Sequence, residues 1–152
     1  MVELLAPAGS MEALKAAVEN GADSVYLGGK AFSARANAVN FDRAQLIEAV
    51  DYCHIRGVKL YVTVNTLIRE EELEELAQYL QFLHRIGVDA LIIQDLAVVR
   101  LARELTTIPL HGSTQMTIHN RHDLQVLEEL GLSRVVLARE LSLEEVRTLG
   151  SV

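Results

Sequence analysis

Apolar and polar positions follow one repeating order along the chain: a short apolar run, a polar turn, then a longer stretch with apolar residues three or four apart. Runs that are apolar on successive positions are typical of strands buried on both faces of a parallel sheet, and the longer stretches have the spacing of amphipathic helices. The pattern predicts strands at residues 2–5, 24–27, 59–64, 90–93, 110–113 and 134–138. It predicts helices at residues 11–20, 43–56, 70–86, 96–104 and 121–130, and a last helix opened by Ser142.

A strand followed by a helix, six times over, predicts an α/β protein with a parallel sheet, for which two arrangements compete. A doubly wound dinucleotide-binding sheet needs a G-x-G-x-x-G loop after its first strand, and neither Gly9 nor the pair Gly28-Gly29 has that spacing. A (β/α) barrel instead expects polar residues where the strands end. The strand exits carry Gly9-Ser10, Gly28-Gly29, Asn65-Thr66, Gln94-Asp95, Ser113-Thr114-Gln115 and Arg139-Glu140.

These exits favour a partial TIM-type (β/α) barrel of about six units with parallel strands. A closed barrel of this type has eight units and typically about 250 residues, whereas this chain has 152. We therefore expect residues 1–152 to form one domain, the N-terminal part of an incomplete barrel. The first and sixth strands would then be unpaired edges, which predicts self-association.

Charge and cysteine content narrow the classes of partner. The formal net charge is −7, from 21 acidic and 14 basic residues, so the overall surface does not attract nucleic acid and any such contact must be local or lie outside this chain. Cys53 is the one cysteine, which excludes an intrachain disulfide. The sequence has no signal-peptide pattern and no apolar run near the roughly 20 residues that span a bilayer. We expect a cytoplasmic protein without a membrane partner.

Six polar residues at the last three predicted strand exits are expected to meet at the mouth of the barrel, meaning the end where the strands have their carboxyl termini. They are Gln94, Asp95, Ser113, Gln115, Arg139 and Glu140. Such a set of acids, amides and a guanidinium suits a polar or anionic small molecule. A hydrogen-bonded plug that closes the barrel is the alternative.

The longest connection, residues 30–40, holds Lys30 and Arg35 beside Phe32, Asn37 and Asn40. Connections from strand to helix usually have about 2–6 residues, so this one is long and has room for a short helical turn. Arginine, amides and an aromatic ring over the mouth suit a base or a phosphate. The alternative is an ordered loop whose aromatic rings pack over the surrounding helices.

The histidines and the cysteine give no recognised catalytic or metal motif. His111, near the start of its strand, is expected inside the barrel or at its lower end, and it would not converge with His119 and His122 on a metal. Cys53 and His54 are neighbours on a predicted helix and point about 100° apart, so they cannot form a catalytic pair. Cys53 lies on the apolar face, which predicts a buried thiol. We expect no metal site.

Several stretches carry a resemblance to a known family. They are ELLAPAGS (3–10), GADSVYLGG (21–29), FSAR (32–35), YVTVNT (61–66), GVDALIIQD (87–95), HGSTQMTIHN (111–120) and VLARELS (136–142). In this order they resemble the collagenase-like peptidase family over nearly the whole chain. The family consists of bacterial and archaeal proteins that were named proteases or collagenases. Several relatives instead look like oxygen-independent hydroxylases of ribosomal RNA, transfer RNA or a ubiquinone precursor, with prephenate implicated as the source of oxygen.

The resemblance implies functional residues, but the cluster-binding cysteines of the family's hydroxylases have no counterpart in this chain. Those hydroxylases hold an iron–sulfur cluster with cysteines further along the chain than the last strand here, and Cys53 does not match those ligands. The resemblance therefore implies no cofactor in this chain and a possible cluster in a longer parent. It implies that catalytic residues would be sought among Asp95, Arg139 and Glu140. It implies substrate binding by Gly28, Gly29, Arg35, Asn65, Gln94, Ser113 and Gln115.

Three functions follow from the resemblance. The first is the N-terminal portion of a collagenase-like peptidase, although the residues show no proteolytic motif. The second is the substrate-binding part of an iron–sulfur-dependent hydroxylase that modifies tRNA, rRNA or a small aromatic molecule, with RNA reached through the full-length parent. The third is a docking module without catalysis. In each case this chain alone is not expected to be catalytically competent.

Overall fold

A computed structural model describes residues 2–34 and 40–150, and within them six parallel strands alternate with α-helices. The strands are β1 Leu5–Pro7, β2 Ser24–Gly28, β3 Lys59–Val64, β4 Ala90–Ile93, β5 Leu110–Gly112 and β6 Arg134–Val135. The helices are α1 Met11–Glu19, α2 Arg43–His54, α3 Leu73–Ile86, α4 Leu96–Leu105, α5 Arg121–Glu129 and α6 Leu143–Leu149. This is the α/β half-barrel that the alternation of strand and helix patterns predicts.

The strands lie in the sheet in their chain order, β1 to β6, and every neighbouring pair is parallel. Ser24 is paired with Lys59, and Tyr61 with Ala90. Sequential parallel strands with a helix between each pair are the construction of a TIM-type barrel. All six strands therefore end at the same edge of the sheet, where the polar exits of the sequence collect.

The two faces of the sheet bury different residues. Side chains such as Leu60 and Leu91 point outward and are fully buried against the helices, in the larger of two apolar clusters. Tyr61, Ala90 and Ile92 alternate with them and form a second, smaller cluster on the inner face. Because successive strand residues face opposite sides, a run that is apolar throughout fills both layers.

Helix ends follow the signals in the sequence. Asp42 and Gln45 form a capping box at the start of α2, and Ser142, which was predicted to open the last helix, forms another with Glu145 at the start of α6. Gly87 follows α3 with φ 84°, the left-handed conformation that glycine adopts without strain. These local rules position the strands that follow each helix.

The first strand begins later than the prediction of residues 2–5. Its pairing with β2 begins at the Leu4 carbonyl, which accepts hydrogen bonds from the amides of residues 23 and 24, and it runs to the amide of Ala8, which donates to Tyr26. The strand is Leu5–Pro7, and Leu4 is exposed. The apolar run thus does not mark the paired segment, because pairing is set by the partner strand.

The sixth strand is shorter than the prediction of residues 134–138. Val136 donates the last hydrogen bond toward β5, after which the amide of Ala138 donates to the carbonyl of Ile118 at 2.9 Å. The chain therefore leaves the sheet after Arg134–Val135 and pairs with the loop beyond β5. An apolar run of five residues does not reveal this change of partner.

The acidic start of the third helix is a separate 3₁₀ turn, Glu70–Glu72, followed by α3. The Arg69 amide donates to the Glu72 carboxylate at 2.9 Å, which closes this turn, and Glu70 and Glu71 are exposed. Glu70 and Glu71 are thus solvated, as expected for acidic residues near a helix N-terminus. Residues 35–39 of the long connection lie outside the described residues, so the short helical turn for which it has room stays a prediction.

Cys53 is fully buried, as the apolar pattern predicts, and burial raises the pKa of its thiol to about 11. The neighbouring His54 instead approaches Asp89, with Nε2 2.9 Å from the carboxylate, so the two residues form no catalytic pair. Among the helices of residues 2–34 and 40–150, none is long and apolar enough to cross a membrane.

Candidate functional site

A cavity of about 460 Å³ opens at the mouth, where the strands end. Its inner walls are apolar and include Leu5, Ile92 and Val136. Five of the residues that the sequence singled out line it together: Gly28, Asn65, Ser113, Gln115 and Arg139. A concave, mostly apolar cavity with a few convergent polar groups at the carboxyl ends of barrel strands is the usual setting of a binding site in this fold.

Gly28 ends β2 and lets the following turn approach the sheet. A Cβ at this position would lie 2.9 Å from the Cβ of Ser33 and closer still to its hydroxyl. The Thr63 hydroxyl donates to the carbonyl of Leu27 at 3.3 Å, which leaves the Ser33 hydroxyl to donate to Thr63 Oγ1 at 3.1 Å. The absence of a side chain at Gly28 therefore allows one wall of the cavity to form.

Asn65 follows β3 and connects two loops across the cavity. Its backbone amide donates to the carbonyl of Phe32 at 3.0 Å, and its side-chain Oδ1 accepts from the amide of Ala34 at 3.1 Å. Its Nδ2 donates to Gln115 Oε1 at 2.7 Å. One side chain thus joins the loop after β2 to the loop after β5.

Ser113 and Gln115 form a compact turn after β5. The Gln115 amide donates to the Ser113 hydroxyl oxygen at 3.3 Å, and that hydroxyl donates to Gln115 Oε1 at 3.2 Å. Ser113 is buried, whereas Gln115 is exposed at the cavity rim. The Ser113 hydroxyl is therefore engaged by an amide, and not by the histidine or carboxylate that activates a nucleophilic serine.

Arg139 supplies the charge of the site. Among the described residues that line the cavity there is no aspartate, glutamate, histidine, lysine or cysteine, and Arg139 is the one permanently charged side chain. It is exposed, in a chain whose net charge is −7. The cavity therefore has the electrostatic character of an anion site within an acidic protein.

Three of the predicted site residues at the later strand exits lie away from the cavity wall. Asp95 is the N-cap of α4, and its Oδ1 accepts from the amide of Ala97 at 2.7 Å. Its Oδ2 accepts from the amide of Ile68, in the loop after β3, at 2.9 Å. Glu140 is exposed, and Gln94 is half-buried, and neither lines the cavity. The contact with Ala97 is that of a helix cap, and the contact with Ile68 connects Asp95 to the loop after β3. A catalytic role for Asp95 or for Glu140 stays a prediction.

Gly29 packs on the outer side of the sheet. A Cβ there would overlap the hydroxyl of Tyr79 and lie 3.2 Å from its Cζ, so the contact is with the helix layer. Arg35, predicted to bind substrate from the long connection, lies outside the described residues. Substrate binding by Arg35 or by Gly29 thus stays a prediction.

Sequence reasoning missed cavity residues that stand within the strands. The expectation from the sequence covers only the polar residues that follow the strands. Tyr26, Thr63 and Ile92 also line the cavity. Their signal is the two-residue alternation: Thr63 is in register with Gly28 and shares the inner face with Tyr61. Applying that alternation to the predicted strands would have identified them.

A second polar layer lies on the inner face at the opposite end of the strands. Glu3 Oε1 accepts hydrogen bonds from the hydroxyls of Ser24 at 2.6 Å and Tyr61 at 2.7 Å. Glu3 also forms a bidentate ion pair with Arg134, at 2.8 and 3.0 Å. The Arg134 guanidinium, with the two hydroxyls, holds the pKa of Glu3 far below its usual range. This arrangement connects the start of β1 to β6.

His111 lies beside this layer, inside the half-barrel as predicted. It is buried, and its ring meets that of Tyr61 edge to face with centroids 4.9 Å apart. Burial, together with the charge of Arg134, lowers the pKa of His111 to about 4. His119 lies elsewhere and donates from Nδ1 to the carbonyl of Thr117 at 2.7 Å. Within the described part of the chain, no three acidic, histidine or cysteine side chains are grouped as metal ligands.

The fold defines a partial (β/α) barrel, with its cavity at the carboxyl ends of the strands. The chain belongs to peptidase family U32, whose pattern matches residues 9–151. Its fold is that of the solved U32 peptidase Mk0906, with a TM-score of 0.80 at 16% identity, covering 99% of this chain and 65% of that one.

Curated relatives with similar sequences have different names. The chain is 39% identical to the 23S rRNA 5-hydroxycytidine C2501 synthase of Escherichia coli (97% of this chain, 22% of that protein). It is 40% identical to tRNA hydroxylation protein P1 of Bacillus subtilis (95% and 35%) and 38% identical to a collagenase of Porphyromonas gingivalis (97% and 35%). The chain thus spans between about a fifth and a third of the length of these relatives.

Proposed function

We propose that this chain is the substrate-binding part of an RNA-hydroxylating enzyme and that the mouth cavity holds the nucleotide to be modified. The observation that carries the proposal is the composition of the cavity: apolar walls, amide groups and the Arg139 guanidinium, without a carboxylate among the described lining residues. Apolar walls suit a flat base, and a guanidinium suits a phosphate oxygen.

The names of the relatives support this proposal in part. One modifies a cytidine of 23S rRNA and another is named for tRNA hydroxylation, and both align with nearly the whole chain. Because most of each relative lies outside the aligned region, the reacting groups of such an enzyme would lie elsewhere in a longer protein. The residues described here would bind and orient the nucleotide.

The charge of the chain limits how RNA would bind. With a net charge of −7, the surface cannot follow a phosphate backbone, so contact would be confined to the cavity and to Arg139. One phosphate contact to a single strand predicts that affinity falls only about fivefold for a tenfold rise in salt. Stronger binding would need basic surfaces outside this chain.

An iron–sulfur cluster, which the hydroxylase resemblance implies, does not fit the residues of this chain. Such clusters take several cysteine thiolates, and the one cysteine here, Cys53, is fully buried with a raised pKa. No chemical step is assigned to a cluster in this chain.

The peptidase alternative has the collagenase-named relative in its favour. The hydroxyl groups at the cavity do not support it. Ser113 is bonded to the amide of Gln115, and Ser33 to Thr63, whereas an acylating serine requires a base within hydrogen-bond reach. For the described lining of the cavity we therefore favour binding over hydrolysis.

The test is to analyse the modified nucleosides of total RNA by mass spectrometry in a strain lacking the gene that encodes this chain. We expect one hydroxylated nucleoside to disappear, to return with the intact gene, and to fall at least tenfold with Arg139→Ala, because the phosphate then lacks its cation. Arg100→Ala is the matched control, since Arg100 is 82% exposed on α4 and pairs with Glu104.

The contrary result is an unchanged set of nucleosides in the deletion strain. Gelatin hydrolysis by the purified protein, abolished by Arg139→Ala and retained by Arg100→Ala, would assign the same cavity to a peptidase. Equal loss of the nucleoside in the Arg139→Ala and Arg100→Ala variants would show that Arg139 has no specific role in binding the nucleotide.

A further inference from the structure

The orientation of one side-chain amide at the mouth is set by another. The backbone amide of Ala34 can only donate, so the Asn65 atom that faces it must be the oxygen, Oδ1, at 3.1 Å. The amino group of Asn65 is thereby turned toward Gln115. The polarity of Asn65 is thus fixed by a backbone group that has no alternative role.

The same argument fixes Gln115. The Asn65 Nδ2 atom donates at 2.7 Å, so the Gln115 atom that faces it must be Oε1. The Ser113 hydroxyl, whose oxygen already accepts from the Gln115 backbone amide, donates to the same Oε1. Gln115 Nε2 then has no partner within residues 2–34 and 40–150, while the residue lines the cavity.

We propose that Asn65 is a positioning residue that fixes the polarity of the Gln115 amide, so that the cavity presents an amide donor, in addition to the Arg139 guanidinium, to an anionic oxygen of the ligand. This rests on the proposed function, because it names how the cavity selects a nucleotide phosphate. Without Asn65 the Gln115 amide can turn over and present its oxygen, which repels an anion.

A cycle of two substitutions separates this role from a merely structural one. The probe is cytidine 5′-monophosphate, with neutral cytidine as the comparison ligand and calorimetric titration as the measurement. We expect Gln115→Ala to weaken the monophosphate about tenfold, since it removes a hydrogen bond to a charged group. We expect Asn65→Ala to weaken it several-fold, and the double variant to bind no more weakly than Gln115→Ala alone.

Cytidine affinity should change less than about twofold in all three variants, because the neutral ligand lacks the anionic oxygen that the donor serves. Gln78→Ala, an exposed amide on α3, is the matched control and should change neither affinity. Losses that multiply in the double variant, or that are equal for both ligands, would show that Asn65 merely holds the loop and would overturn the proposal.

If a variant fails to fold, a measurement on the unmodified protein still tests the orientation of the two amides. Side-chain amide spectra should show the Asn65 amino protons in contact with Gln115, and the Gln115 amino protons shifting when the monophosphate is added. Asn65 amino protons in contact with the Ala34 amide would overturn the inference. If the unmodified protein does not bind the monophosphate, the proposed function fails while these contacts still decide the amide polarity.

Discussion

Replacing Glu3 with glutamine tests the polar layer at the lower end of the half-barrel. The carboxylate accepts four hydrogen bonds, one each from Ser24 and Tyr61 and two from Arg134. Glutamine keeps the shape but has one acceptor oxygen, and its amino group must face either the guanidinium or the two hydroxyls. At least one donor then meets another donor.

The cost follows from the exposure of the pair. Hydrogen bonds to charged groups contribute about 1.5–3 kcal/mol each. The side chains of Glu3 and Arg134 are 24% and 41% exposed, so water replaces part of what is lost and the values must be discounted. We expect Glu3→Gln to lower the free energy of unfolding by about 2 kcal/mol at neutral pH, or the melting temperature by about 4–8 °C for a chain of this size.

Urea unfolding followed by circular dichroism measures this difference. Glu71→Gln is the matched control, because Glu71 pairs with Arg69 at 2.9 Å with both side chains about 70% exposed, and it should cost less than about 0.5 kcal/mol. The pKa of Glu3 is lowered in the folded state, so its stabilisation is present above about pH 4.5 and is lost as the pH falls below it. The difference between the native protein and Glu3→Gln should therefore shrink toward pH 3. A difference below 0.5 kcal/mol at pH 7, or one that is independent of pH, would refute the reasoning.

Gly29→Ala should cost about 1–3 kcal/mol by overlap with the Tyr79 hydroxyl, which has no hydrogen-bond partner among the described residues, and adding Tyr79→Phe should restore part of that loss in the same unfolding assay. His111 should titrate near pH 4 by nuclear magnetic resonance, and because its pKa is lowered by burial, its contribution to stability should decline as the pH falls below about 6.5; a midpoint above 6 would contradict this burial. Self-association through the unpaired outer edges of β1 and β6 should appear in light scattering as a mass above 16.8 kDa at high concentration, whereas a monomer at all concentrations would refute it.

The interior of the fold could be predicted from the sequence because its signals are local. The bounds of β3 and β4 follow from apolar runs between a glycine turn and a polar exit, and the two capping boxes follow from residue spacing. The edge strands could not be placed as well. Their ends depend on the carbonyls and amides of a partner strand, as at Leu4 and Ala138, and such pairing leaves no mark in the residues themselves.

The site, like the fold, could be predicted only in part from the sequence. Polar residues at strand exits do gather at the mouth, as Asn65, Gln115 and Arg139 do. Asp95 stands at such an exit but accepts hydrogen bonds from the amide of Ala97, at the start of α4, and from the amide of Ile68, in the loop after β3. Aspartate is a common N-cap in the position just before a helix. Position alone therefore does not distinguish a capping aspartate from a catalytic one. The contacts between loops that orient Gln115 join residues far apart in the sequence, so they are seen only in the folded structure.

The most direct test of the account is to map an RNA oligonucleotide onto this chain by backbone amide spectra. A nucleotide held in the mouth predicts shifts concentrated at Gly28, Asn65, Ser113, Gln115 and Arg139, which Arg139→Ala weakens and Arg100→Ala leaves unchanged. Shifts confined to the outer helices, or none at millimolar RNA, would contradict the proposal that the cavity holds the nucleotide to be hydroxylated.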